Sequence, residues 1–284
     1  MSAGGACEPA RPHDPGNVTE TLASGGLDRT YILHVPESYD GTIAVPLVLN
    51  LHGAGSNATQ QAIYSRLQIT AAQAGFIAVQ PNATNVGSGA SGQAWSFFPG
   101  QDVDIDFIDD LLDHLEEQLC IDASRVFSMG ISSGSAMSAK LACALPDRIF
   151  AVGLVAALVY FPTCEADPTP VIAFHGTDDA LVPFDGGTGG VGLPTRPVRD
   201  SAADWAARDG CDPTPADARV SEHVTSVAWS ECDGGVAVIL YVVEGGGHTW
   251  PGAAVDVTPL GATTREVDAT ALIWEFFAAQ AAQR

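Results

Sequence analysis

Apolar positions fall into two kinds of run, and their alternation along the chain predicts the secondary structure. Residues 46–51, 76–79, 149–157 and 170–174 are almost continuously apolar, as strands covered on both faces require, and 125–129 is a shorter strand-like run. Residues 28–35 alternate and are β-branched or aromatic at several positions, which predicts a first strand. Residues 220–229 and 236–243 predict two more around a Gly-Gly turn. Between these runs the period changes. Val103, Phe107, Leu111, Leu115 and Leu119 recur at helical spacing, with Asp109, Asp110, Asp113, Glu116 and Glu117 on solvated or flanking faces. Further helices are expected at 60–74, 136–144, 198–209 and 266–280, the last placing Ile273, Trp274, Phe276 and Phe277 against a sheet. Strands alternating with helices predict an α/β fold, a mostly parallel central sheet with helices on both faces.

Length and composition narrow the class. A chain of 284 residues can bury about three-quarters of its unfolded surface, and its evenly spread apolar runs favour one domain over 27–284. Residues 1–26, rich in Gly, Pro and Ala, read as an irregular arm that Cys7 can tie down. No run approaches eighteen apolar residues, so no membrane span is expected. The first five residues lack a basic region and an apolar core, so an exported form would have lost its leader. Thirty-four acidic residues oppose 12 basic ones, Lys140 being the only lysine, and the net charge of −22 argues against nucleic-acid and anionic-membrane partners. Such acidity suits a protein working in high salt, and a GC-rich genome would produce a similar bias. The six cysteines lack metal-ligand spacing; an even set fits three bridges in an oxidising compartment, and Cys211 with Cys232 is the favoured pair.

The candidate chemistry centres on Gly130-Ile131-Ser132-Ser133-Gly134, between the run at 125–129 and the helix at 136–144. A strand entering a helix through Gly-x-Ser-x-Gly holds the middle serine in a strained turn that lifts its hydroxyl off the sheet. The helix begins near Ser133, so its free amides face any oxyanion formed at Ser132. A second donor is expected from His52-Gly53-Ala54-Gly55, directly after a buried strand: the Ala54 and Ser133 amides are the candidate oxyanion pair, with His52 structural. After the strand at 170–174 comes His175-Gly176-Thr177-Asp178-Asp179, where a carboxylate that orients a histidine belongs. Asp179 is the first candidate and Asp178 the second. His248 follows the last strand, and Ser132, Asp179, His248 is the chain order of α/β-hydrolases. Trp95, in a loop at 82–100, and Trp250, beside His248, are candidate substrate contacts.

Other motifs lose weight on inspection. The acidic run at 102–106 resembles a calcium loop but has Phe107 where the sixth-position glycine belongs, so it reads as a helix start. The G-x-G-x-x-G at 187–192 follows no strand and opens no helix, which makes it a loop near the cleft and no nucleotide site. No histidine pair has zinc spacing, and no metal or cofactor is expected.

The His-Gly-Ala-Gly, Gly-Ile-Ser-Ser-Gly, His-Gly-Thr-Asp-Asp and Gly-His-Thr-Trp-Pro-Gly motifs resemble those of the feruloyl esterase and polyhydroxybutyrate depolymerase family, a carbohydrate-esterase branch of the α/β-hydrolases. The resemblance runs from about Asp28 to the last helix. It implies a secreted, cofactor-free serine esterase acting through an acyl-enzyme. It also favours Asp179, three positions after Gly176, and an oxyanion amide at Ala54. Ser135 departs from the family, which usually has a glycine there. The implied substrates are hydroxycinnamoyl esters of plant-wall polysaccharide, small or polymeric, with a monomeric enzyme as the expectation. The alternatives are a polyhydroxyalkanoate or polyester depolymerase, an acetylxylan esterase, a serine peptidase of similar fold, and a non-catalytic carbohydrate-binding protein on a hydrolase fold.

Overall fold

The computed structural model describes residues 5–84 and 93–283. Part of the loop expected at 82–100 and the first residues of the expected arm therefore lie outside the described residues.

In chain order the strands are β1 (Gly16–Ser24), β2 (Leu27–Val35), β3 (Val45–Leu51), β4 (Ile77–Pro81), β5 (Ile121–Ile131), β6 (Ala151–Val155), β7 (Val171–Gly176), β8 (Gly187–Thr188), β9 (Pro194–Thr195), β10 (Ala216–Arg219), β11 (Val224–Trp229) and β12 (Val238–Val243). The helices are α1 (Ala58–Ser65), α2 (Leu67–Ala74), α3 (Val103–Gln118), α4 (Ser133–Ala144), α5 (Val198–Arg208) and α6 (Ala269–Ala281). Ten strands form one sheet in the order β1-β2-β4-β3-β5-β6-β7-β12-β11-β10, while β8 and β9 pair as a separate hairpin. From β4 through β12 the neighbours are parallel, and the antiparallel strands are confined to the two flanks.

Alternation inside the parallel strands builds two apolar layers. Leu47, Leu49 and Leu51 join one with side chains of α3, α4 and α5, including Leu111, Met137 and Trp205. Val48, between them in sequence, faces the other with Leu67, Ala71, Ile273 and Phe277 of α2 and α6. A strand flanked by both layers has no polar face, which is why these runs read as continuously apolar.

The departures from expectation have local causes. The expected arm at 1–26 contains β1, which pairs along its whole length with β2 through a two-residue turn, Gly25-Gly26, both at positive φ. As an edge strand β1 is mostly exposed, so its apolar content is low. The helix expected at 60–74 is two helices, because Arg66 takes a left-handed conformation at φ 54°. β10 was not anticipated: all four of its residues are exposed at the far edge. In α3 the stripe of Phe107, Leu111 and Leu115 is buried, whereas Val103 is 38% exposed at the helix start.

Three disulfides brace the fold. Cys7–Cys120 ties the N-terminal segment to the start of β5 across 113 residues, Cys143–Cys164 joins the end of α4 to the loop after β6, and Cys211–Cys232 is the favoured pair.

Candidate active site

The parallel register brings the ends of β3, β5, β6, β7 and β12 to one edge. Gly130 lies opposite both Leu51 and Leu154, Val155 opposite Phe174, and Gly176 opposite Val243. The residues following these positions are therefore gathered at that edge, and they include Ala54, Ser132, Asp179 and His248.

Ser132 sits between β5 and α4 at φ 56° and ψ −120°. Its amide donates to Val155 O at 2.9 Å and its carbonyl accepts from Ala136 N at 3.0 Å, so the strained turn is held from both sides. The flanking glycines permit it. A Cβ on Gly130 would stand 2.5 Å from the Gly134 carbonyl carbon, and one on Gly134 would stand 2.3 Å from Leu51 O. Strand and helix approach too closely for any side chain there.

The candidate acid and base meet after β7 and β12. His248 Nδ1 is 2.7 Å from Asp179 Oδ2, with both side chains buried. Asp179 Oδ1 accepts from the Leu181 and Val182 amides at 2.9 and 2.8 Å, and His175 Nε2 lies 3.3 Å from Oδ2. Burial alone would push this carboxyl up, but the bonds from His175, His248 and the Val182 amide outweigh it and hold Asp179 well below the usual carboxylate range. Asp178 is exposed; among the described residues its carboxylate accepts only from Thr177 Oγ1, at 3.2 Å, while its amide donates to Gly246 O at 2.9 Å. With Nδ1 engaged, Nε2 is the nitrogen left for proton transfer. Among the described residues, no hydrogen bond joins Ser132 Oγ to His248 Nε2; catalytic hydrogen bonds often form only as substrate binds. His248 is carried by a loop pinned to the segment before α6: Gly247 N donates to Ala262 O at 2.9 Å and His248 N to Leu260 O at 2.7 Å. A Cβ on Gly247 would fall 2.2 Å from Leu260 O, which explains the glycines ahead of the histidine.

The two candidate oxyanion amides lie beside the serine. A Cβ on Gly53 would stand 3.5 Å from Ser132 Cβ, so the turn carrying Ala54 runs alongside the elbow. Among the described residues neither Ala54 N–H nor Ser133 N–H donates to a carbonyl. His52 is structural, as expected. The Ala83 amide donates to its Nε2 at 3.1 Å, so the ring proton is on Nδ1, which donates to Gly53 O at 2.8 Å. Burial lowers its pKa and keeps it neutral.

The two tryptophans are not in the cleft. Trp95 is 2% exposed and spends its indole N–H on His52 O at 2.9 Å; Trp250 is 1% exposed, donating to Thr270 Oγ1 at 3.0 Å and packed among residues of α2 and α6. Both hold site loops from behind, so their expected role as substrate contacts is corrected to one of support. Sequence reasoning passed over two buried partners, His175 and Asp104. His175 touches Asp179, and its place at the end of a buried strand was the available signal. The Gly-rich stretch forms the β8–β9 hairpin, with Gly190 N bonded to Ala180 O at 2.9 Å next to the acid loop.

Residues 29–177 match the family model described as esterase PHB depolymerase. Feruloyl esterase C of Emericella nidulans is 30% identical over 281 residues, covering 94% of this chain and 92% of that protein. Feruloyl esterase B of Piromyces equi is 28% identical over 78% of this chain and 42% of its own longer length. The acetyl xylan esterase structure from Aspergillus awamori superposes with a TM-score of 0.64 at 16% identity, covering 92% of this chain and 99% of that one, which supports the shared fold. By its matched residues and its sheet, the chain belongs to the esterase PHB depolymerase family, an α/β-hydrolase and a carboxylic ester hydrolase.

Proposed function

We propose that the protein cleaves carboxylic esters through an acyl-enzyme on Ser132, and that its substrates are hydroxycinnamoyl esters of the feruloyl type on plant-wall polysaccharide. The observation that carries the chemistry is the 2.7 Å contact of Asp179 with His248 Nδ1 at the same sheet edge as the Ser132 turn. In this reading His248 Nε2 takes the Ser132 proton as Oγ attacks the ester carbonyl, and Asp179 keeps the ring in the correct tautomer. The Ala54 and Ser133 amides receive the negative oxygen of the tetrahedral intermediate. The imidazolium then gives its proton to the departing alkoxide. Water, deprotonated by His248, repeats the attack on the acyl-serine, and the acid leaves as Ser132 recovers its proton.

The feruloyl assignment draws on relatives named for that activity, over nearly the full length of one of them. The acetyl xylan esterase neighbour and the family's own description favour a second reading, an acetyl-ester or polyester hydrolase with the same triad. Three disulfides support work outside the cytosol, where thiols oxidise. Ser132→Ala tests the chemistry: release of p-nitrophenol from a short-chain p-nitrophenyl ester is expected to vanish with the unfolding transition preserved, and retained turnover would overturn it. Methyl ferulate, acetylated xylan and polyhydroxybutyrate offered in parallel test the substrate. Preference for methyl ferulate is expected, and preference for either of the others replaces the feruloyl reading.

A further inference from the structure

Asp104, on the first turn of α3, is fully buried and has no place in the triad. Its Oδ1 accepts from Arg29 Nη2 at 2.6 Å and from Thr84 Oγ1 at 2.6 Å, and its Oδ2 accepts from the Ser96 amide at 2.8 Å. A buried ion pair is a poor way to gain stability, since apolar side chains of equal volume often do as well. The donors instead suggest a task of geometry: Thr84 and Ser96 both belong to the connection between β4 and α3. Lys140 Nζ reaches Ser96 O at 3.4 Å from the other side.

That loop is what holds the turn beside the nucleophile. Next to Ser96, Trp95 donates to His52 O at 2.9 Å; two residues earlier, Gln93 O accepts from Gly55 N at 2.8 Å. These grips fall on either side of Ala54, and Ala83 secures the intervening carbonyl of Gly53 through the His52 ring. The Ala54 N–H is left between anchored neighbours with no carbonyl partner among the described residues. We propose that Asp104 is a positioning residue for the reaction: by holding the β4–α3 connection at Thr84 and Ser96 it sets, through Trp95 and His52, where the Ala54 amide points. The proposal rests on the reading of Ala54 as an oxyanion donor.

An oxyanion donor acts on the transition state and scarcely on the bound ester, so displacing it lowers kcat and leaves KM in place. Complete loss of one donor costs about a hundredfold or more, and displacement by part of an ångström is expected to cost roughly tenfold to a hundredfold. The test is steady-state kinetics on a short-chain p-nitrophenyl ester for Asp104→Asn, Trp95→Phe and the double variant, with Ser132→Ala beside them. Trp95→Phe keeps a ring and removes only the N–H to His52, so it decides the matter if Asp104→Asn fails to fold. Each folded single variant is expected to lose at least about tenfold in kcat with KM within about twofold, and the double variant to fall no further than the worse single, because both act through one amide. Phe107→Leu is the structural control. It removes the ring under the Arg29 guanidinium, 3.7 Å away, and is expected to lower Tm while sparing kcat. Unchanged kcat in the folded variants, a change confined to KM, or losses that multiply in the double variant would overturn the positioning role. If Ser132→Ala is dead while Trp95→Phe keeps full kcat, only this inference falls; if Ser132→Ala is active, the proposed function falls first.

Discussion

Replacing Asp179 with asparagine alters one group whose two oxygens have different partners. Oδ1 accepts from the Leu181 and Val182 amides at 2.9 and 2.8 Å, and these can only donate, so the asparagine carbonyl takes that side. Its NH2 then stands where Oδ2 met His248 Nδ1 at 2.7 Å and His175 Nε2 at 3.3 Å. Two N–H groups facing an NH2 repel, and His248 relieves its share by moving its proton to Nε2 and accepting at Nδ1. The ring then offers Ser132 an N–H in place of a lone pair. A wrong tautomer in otherwise intact geometry costs about 10⁴ in kcat, or roughly 5 kcal/mol of transition-state stabilisation. The assay is kcat/KM on a short-chain p-nitrophenyl ester, with Asp178→Asn as the partner variant. The Asp178 carboxylate is exposed and, among the described residues, bonded only to Thr177, so its loss is expected to stay within about twofold. The pH dependence follows with its sign. The Asp179 carboxyl is held below the ordinary range, so it stays ionised as pH falls, and its stabilising contribution, complete above that range, is lost only below it. Protonation of Asp179 therefore does not set the acid limb of kcat/KM. Asp179→Asn within tenfold of the parent, or Asp178→Asn falling as far, would refute the reasoning.

Three further outcomes are expected. Gly134→Ala, a change that favours an ordinary helix by about 1 kcal/mol, is expected to destabilise in denaturant titration by roughly 1–3 kcal/mol, because the new Cβ would meet Leu51 O at 2.3 Å. Loop closure ranks the disulfides: opening Cys7–Cys120, which spans 113 residues, is expected to cost about 5 kcal/mol of unfolded-state entropy, against about 3 kcal/mol for each bridge spanning 21, as paired Cys→Ser variants would measure. With 34 acidic residues against 12 basic ones, molar sodium chloride is expected to raise Tm by screening self-repulsion; activity that is highest without salt and collapses in molar salt would remove the salt-adapted reading.

What the sequence disclosed depended on whether a residue's task was local. The Ser132 turn could be read because its requirements lie within five positions: glycine, strain, glycine, and a helix starting at once. The parallel strands were legible because burial on both faces leaves a run with no polar gap, as in Leu47, Val48 and Leu49. Edge strands escape that signal. β1 and β10 face solvent, and only the Gly25-Gly26 pair between alternating residues marked the first of them. Arg66 breaks a helix with neither glycine nor proline; beside it the Ser65 hydroxyl bonds back one turn to Gln61 O at 2.9 Å, and the Thr270 hydroxyl, distant in sequence, donates to Ser65 O at 2.7 Å.

The same distinction explains why the tryptophans were misplaced and Asp104 passed over. An indole in a loop at the rim of a sheet looks like a substrate platform, because sequence exposes the ring's chemistry and conceals its partner. Trp95 finds that partner 43 residues away in His52, and Trp250 finds Thr270 and a shell of α2 and α6 side chains. Asp104 read as one more acid at a helix start, where the dipole alone would justify it. Its side chain instead turns inward to Arg29, 75 residues earlier, at a depth where a polar group needs a partner. Groups that do chemistry must reach solvent or substrate and so occur in short, recognisable strings. The groups that aim them are satisfied by partners distant in sequence, and only the folded sheet brings those partners within hydrogen-bond reach.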